Sequence, residues 1–235
     1  MPVTYQLQDR VAVITIDDGR ANAITLDVIE ELEMALEQAA DDERTGAVLI
    51  AGRPGRFSAG FDLAAMTSGT ASMRRLVASG GRLLARLLLE PTPVVAACTG
   101  HALAAGGLML LAADHRIGAA GDWKIGLNEV SIGMPMPKWG VELARYRLRP
   151  SEFDWRVVLG QTGTPVEAVH AGFLDRVVPD DDVLDEAMSV ATELSSLSRS
   201  AVEGTKRRAR GPVAARMLEG MDTDLADIST PTPRR

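Results

Sequence analysis

Two short stretches of this chain place small residues where unpaired backbone N–H groups could act on a ligand. In GHALAAGGLMLLAADHR, residues 100–116, Gly106 and Gly107 stand at the front of an apolar run that otherwise reads as a buried helix, and glycine there weakens a helix. A strand, a tight glycine turn and a helix N-terminus together present unbonded N–H groups, which suit an anion or a developing oxyanion. A close crossing of helix on strand would ask for the same glycines. The second stretch, FSAGFDL from Phe57 to Leu63, is another small-residue loop leaving a strand, with Asp62 placed to cap the next element. One N–H from each loop would make an oxyanion hole.

The remaining reactive residue types point to less. His101 reads as a packing or surface histidine, His115 as the start of a strand paired with Asp114 or Arg116, and His170 as the end of a helix, where it suits the dipole. Cys98 closes an apolar strand with nothing basic beside it, so it reads as a small buried hydrophobe. Trp123, Trp139 and Trp155 read as core or interface packing. PDDD, Pro179 to Asp182, reads as a helix start with too few oxygen ligands for calcium, and no histidine cluster offers a metal site.

The elements that must position these residues alternate. VAVITID, Val11 to Asp17, predicts a strand and DGRANA a turn. Thr25 then caps an amphipathic helix in which Leu26, Ile29, Leu32, Leu36 and Ala39 recur at three and four residues. GAVLIAG, Gly46 to Gly52, predicts a buried strand, Ala71 to Leu89 a helix, and Val94 to Cys98 a strand bounded by prolines. HRIGAA reads as a short strand and DWKIGLNEVSIGMPMPKWG as a long irregular loop, a kind of segment that often carries function. Helices are expected at Val141 to Leu148, Ser151 to Leu159 and Pro165 to Ala171, with one more strand in FLDRVV. From Pro179 onward only helices are expected, then a frayed tail at STPTPRR.

Composition bounds the function. A chain of 235 residues with 46% hydrophobic and 24% charged residues is an ordinary globular one with a sizeable core, and 4% aromatics make that core aliphatic. A net charge of −7, with basic residues scattered except near Lys206 to Arg210, argues against a nucleic-acid partner. A single cysteine leaves no internal disulfide and fits a reducing compartment. The start lacks a basic segment followed by an apolar one, and no uninterrupted apolar stretch would span a bilayer. The expectation is a cytoplasmic protein without a membrane partner.

FSAGFDL and GHALAAGGLMLLAADHR, followed by NEVSIGMPMP, stand in an order and spacing that resembles the crotonase superfamily, the enoyl-CoA hydratase/isomerase family, from about Val11 to Val178. The resemblance implies an α/β fold built as a crotonase-like spiral of strand-strand-helix repeats. It implies an acyl-CoA-binding core over 1–178 and a helical C-terminal region over 179–235 that serves assembly of a homotrimer or dimer of trimers. It implies an acyl-CoA thioester substrate from fatty acid metabolism, coenzyme A being part of that substrate and no cofactor being needed. The two oxyanion-hole N–H groups would belong to Phe61 and Ala105; the family usually has glycine at the second place, and Gly106 is its neighbour. The CoA arm would lie along Ala23 and Ile24 and by the backbone near Ala59 and Leu63, with Lys206 similar to a tail lysine that reaches CoA phosphates in relatives. A solvated helix face accounts for Lys206 as well.

Proton transfer comes under the same resemblance. Hydratases of this family carry two glutamates; the first position falls here on Leu108, which moves no proton, and the second on Glu129, among apolar Val130, Ile132 and Met134. Such neighbours raise a carboxyl pKa toward the range of a proton shuttle. One glutamate favours double-bond isomerisation. The alternatives are a hydratase of reduced activity and, of another class, a non-catalytic acyl-CoA-binding protein. No aspartate stands at the Glu129 position to act as a dehalogenase-like nucleophile.

Overall fold

A six-stranded sheet organises the chain, and its inner strands are apolar at nearly every position because both of its faces are covered. The computed structural model describes residues 1–228 and Thr230, so all of the expected tail except Thr230 lies outside the described residues. In chain order the elements are β1 (Val3–Gln8), β2 (Val11–Ile16), β3 (Ala23–Ile24), α1 (Leu26–Asp41), β4 (Ala47–Gly52), β5 (Gly55–Ser58), β6 (Gly60–Phe61), α2 (Leu63–Thr67) and α3 (Thr70–Leu88). There follow β7 (Val94–Cys98), β8 (Gly100–Leu103), α4 (Ala105–Ala112), β9 (His115–Ala119), β10 (Ile125–Gly126), α5 (Lys138–Arg147), α6 (Pro150–Phe153), α7 (Pro165–Ala171), β11 (Arg176–Val178), α8 (Val183–Leu194), α9 (Arg199–Leu218) and α10 (Met221–Ala226).

The main sheet runs β1-β2-β4-β7-β9-β11, antiparallel at β1-β2 and parallel elsewhere. A three-stranded parallel sheet β10-β8-β5 and the pair β3-β6 stand beside it. Each turn of the chain lays one strand in the main sheet and a short one outside it before a helix brings the chain back, as β7, β8 and α4 do. This is the spiral of strand-strand-helix repeats that the resemblance implies. Side chains alternate between its faces: Ala12, Ile14, Val48, Ile50, Val94 and Ala96 join the large core under α1, α3 and α4, while Val11, Leu49, Ala51, Val95 and Ala97 form a second core with Val183, Ala187 and Ala191 of α8.

Most predicted elements stand where their patterns place them, α1 capped by Thr25 Oγ1 accepting from Val28 N–H at 3.1 Å. Three departures matter. VTYQLQ forms the edge strand β1, which the sequence reading leaves out. Gly100–Leu103, read as a tight turn between strand and helix, is strand β8, and the helix starts at Ala105. The helix expected over Ser151 to Leu159 is α6 followed by a π-helical turn, Asp154–Val158. The C-terminal helices are also more than an appendage: α8 closes the second core, and α9 lies along α3 and α5.

Candidate active site

The site begins with two loops welded by buried polar groups. Asn22 is fully buried with φ +54°, and its Nδ2 donates to Ile16 O at 2.6 Å and to Arg56 O at 3.0 Å. Ser58 Oγ donates to Asn22 O at 2.8 Å and accepts from Gly60 N–H at 3.1 Å. These bonds hold the loop that carries Ala23 against the loop that carries Ala59 and Phe61. Ile24 O accepts from Asp62 N–H at 3.1 Å; because alternate residues of a parallel ladder bond to one neighbour, the Phe61 N–H is turned away from β3. Asp62 then caps α2, accepting from Ala65 N–H at 2.8 Å.

The second donor comes from α4. Ala105 is its first residue, so its N–H is among the orphan donors of the first turn, and Ala104 before it supplies no side-chain cap. Gly60, at φ +88°, brings the two loops into contact: a Cβ there would lie 2.8 Å from Leu103 O and 3.2 Å from Ala105 N. Ala104 itself has φ +50° and ψ −121°, a strained conformation for a residue with a Cβ, and it lines the cavity. Backbone here is held out of its ordinary range beside the donors.

A cavity of about 380 Å³ opens between these loops and the segment before α5. Ala21, Ala23, Ala59, Phe61, Asp62, Leu63, Met66, Leu103, Ala104, Asn128, Glu129, Ile132 and Met134 line it. Glu129 is 4% exposed, and its Oε2 has no hydrogen-bond partner among the described residues. Burial pushes its carboxyl up to about 7, opposed only by its own backbone. The arrangement is a buried carboxyl, Glu129, in a mostly apolar space that Asp62 and Asn128 also line, with the Phe61 loop and the start of α4 beside it.

Of the residues read from the sequence, the structure brings Ala23, Ala59, Phe61, Leu63 and Glu129 to the cavity and puts Ala105 directly behind its wall. Four stand elsewhere. Ile24 is buried and reaches the site only through its carbonyl. Gly106 faces Ser58, where a Cβ would lie 2.8 Å from the serine Cβ, so its bareness serves close crossing of helix on strand rather than the cradle. Leu108 is fully buried, its Cδ1 3.4 Å from where a Cβ on Gly140 of α5 would stand, and it does not line the cavity. Lys206 is 6% exposed, with its Nζ 2.5 Å from Asp114 Oδ2 and donating to Glu90 O and Thr92 O.

The other candidates settle into structural places. His101 Nδ1 accepts from Lys124 N–H and its ring meets Trp123 edge-on. His115 begins β9 and lies 3.5 Å from Asp175, Asp114 being taken by Lys206 and Arg210. Cys98 is buried with its thiol pushed up to about 12. Among the described residues no group of three or more His, Cys, Asp or Glu is placed to hold a metal ion, and no helix is long and apolar enough to cross a membrane. The sequence reading misses Ala104, Asn128 and Met66. Alanine does not announce a positive φ, and Met66 comes into the site only when α2 turns back over the loop.

A family model described as enoyl-CoA hydratase/isomerase matches residues 6–230. The chain belongs to the enoyl-CoA hydratase/isomerase family. Its relatives include the human mitochondrial enoyl-CoA delta isomerase 1, 30% identical over 93% of this chain and 73% of that protein, and a probable enoyl-CoA hydratase, echA8, of Mycobacterium tuberculosis, 30% identical over 93% and 85%. A crystal structure of an enoyl-CoA hydratase/isomerase family protein from Pseudomonas syringae superposes with a TM-score of 0.93 at 42% identity, covering 96% of this chain and 97% of that one. Human mitochondrial delta3-delta2-enoyl-CoA isomerase superposes at 0.91 with 28% identity, covering 97% and 90%. Hydratases and isomerases of the family thus stand at similar distance, and the family acts on acyl-CoA thioesters.

Proposed function

We propose that this member of the enoyl-CoA hydratase/isomerase family is an enoyl-CoA isomerase that moves a double bond by shuttling one proton. The observation that carries the reading is the buried carboxyl of Glu129 in a mostly apolar cavity, its Oε2 without a partner among the described residues; Leu108 supports it in so far as the family resemblance puts the first hydratase glutamate at that position. With a 3-enoyl thioester bound, the Glu129 carboxylate takes a proton from C2, the electron pair moves onto the thioester oxygen, and the resulting dienolate is held by the Phe61 and Ala105 N–H groups. Glu129 returns the proton to C4, and the double bond lies between C2 and C3. Each fixed donor at such an oxygen contributes about 3–4 kcal/mol to the transition state. Hydration asks for more, because water must be deprotonated while C2 is protonated.

The experiment is a side-by-side assay of 3-enoyl and 2-enoyl CoA thioesters. Isomerisation should exceed hydration, and Glu129→Gln should lower it by about 10²-fold or more while acyl-CoA affinity is kept. Hydration as the faster reaction would make the protein a hydratase. Tight binding of every thioester with turnover of none would make it a binding protein.

A further inference from the structure

We infer that the Phe61 ring is the inner stop of the acyl pocket and restricts the chain to short acyl groups. This rests on the acyl-CoA reading above. Phe61 lines the cavity and its ring packs on Gly80 and Trp139; on this inference its N–H serves the oxyanion hole and its side chain forms the inner wall. The cavity has a direction. Ala59 and Leu63 on its lining are exposed, Leu63 at 61%, whereas Met66 and Met134 are 2% and 3% exposed. The bulky CoA arm therefore enters at Leu63, and the acyl end runs inward toward Met66, Met134 and the Phe61 ring.

That ring is fixed from behind. A Cβ on Gly80 of α3 would overlap it, so Gly80 leaves room for the ring alone. Trp139 of α5, 1% exposed, meets it edge-on with centroids 6.5 Å apart and planes at 77°, and a Cβ on Gly81 would lie 3.1 Å from the indole. The consecutive glycines of α3 thus seat an aromatic pair, and Phe61 stands between the cavity and the space over Gly80. A volume of about 380 Å³ is at the low end for ligand pockets. The thioester and the end of the CoA arm take part of it. An acyl chain longer than the remaining depth meets the ring.

Two substitutions act on the ring in opposite senses. Phe61→Ala keeps the backbone N–H and opens the end of the pocket; Gly80→Ala pushes the ring toward the acyl chain. Binding of saturated butyryl-, octanoyl- and dodecanoyl-CoA, followed by calorimetry, reads the length preference without requiring turnover. A methylene that a pocket does not accommodate changes discrimination by about tenfold or more. Wild type should bind butyryl-CoA at least about tenfold more tightly than dodecanoyl-CoA. Phe61→Ala should erase or reverse that order, Gly80→Ala should sharpen it, and the double variant should behave as Phe61→Ala. Melting curves check folding, and Phe61→Leu, a smaller change, should shift the preference in the same direction if Phe61→Ala does not fold. Equal affinity of wild type for all three thioesters, or one length profile shared by wild type and the Phe61 variants, overturns the inference and leaves the acyl-CoA reading standing. Binding of none by wild type overturns the acyl-CoA reading and this inference with it.

Discussion

At the scale of single residues, Glu129 carries the clearest physical signature, a carboxyl held in its proton-bound form up to about pH 7 by burial against an ordinary value of 4.5. A base works only when ionised, so if Glu129 is the base proposed above, turnover should rise with pH and level off above a midpoint near 7, which a pH–rate profile checks. Stability should run the other way. The folded state keeps the Glu129 proton where the unfolded chain has lost it, so this contribution is full below pH 4.5 and is lost as pH rises through 7. A shift from 4.5 to about 7 is worth about 3 kcal/mol. Glu129→Gln removes that dependence: denaturant unfolding at pH 5 and pH 8 should show wild type losing stability between the two relative to the variant. That Glu129 and Phe61 line the cavity was legible because each occupies a marked place in a motif, beside small residues or among apolar ones. Ala104 was not, because a positive φ arises from how the loop meets Gly60, and nothing in an alanine says so.

At the scale of elements, the glycine pair in α4 shows how one sequence signal serves two ends. Bare backbone was expected to face a ligand. Gly106 and Gly107 face Ser58 and Gly126, the close crossing that was the alternative reading, while the expected donor, the Ala105 N–H, lies in the residue before them, pressed against Gly60. The glycines let α4 sit directly on β5 and β10, and that close seat places the Ala105 N–H. Gly106→Ala should therefore cost about 1–3 kcal/mol by overpacking and lower turnover with it, measured by denaturation and assay. Helices and inner strands were legible because periodicity and continuous apolar runs come from which faces are buried. Two kinds of element were not. β1 is a half-exposed edge strand whose VTYQLQ pattern alternates over too few apolar residues, and β8 hides in a small-residue run that suits strand and helix alike.

At the scale of the whole molecule, the helices after Pro179 were expected to need a neighbouring subunit as cover, but Val183, Ala187 and Ala191 are buried on the chain's own sheet. Leu184, Leu197 and Leu218 of this region, with Trp155, Val158 and Leu159, are among the exposed apolar residues, and we expect these faces to serve the homotrimer or dimer of trimers that the family resemblance implies; light scattering giving a monomer at micromolar concentration would exclude it. Inside one chain, α9 is tied to the sheet by charge. The Lys206 ammonium has three acceptors in Asp114 and the carbonyls of Glu90 and Thr92, and Arg210 shares Asp114 while also donating to Leu88 O. Burial lowers the Lys206 pKa, and Asp114 opposes it. Breaking one partner from a buried pair costs about 3–5 kcal/mol, because the groups left behind stay desolvated. Lys206→Met keeps the length of the side chain and removes its charge. It should cost about 3 kcal/mol or more in denaturant unfolding, since the Glu90 and Thr92 carbonyls lose their donor, and should leave acyl-CoA affinity within about twofold. The reverse outcome, unchanged stability with much weakened acyl-CoA binding, would return the ammonium to the CoA phosphates.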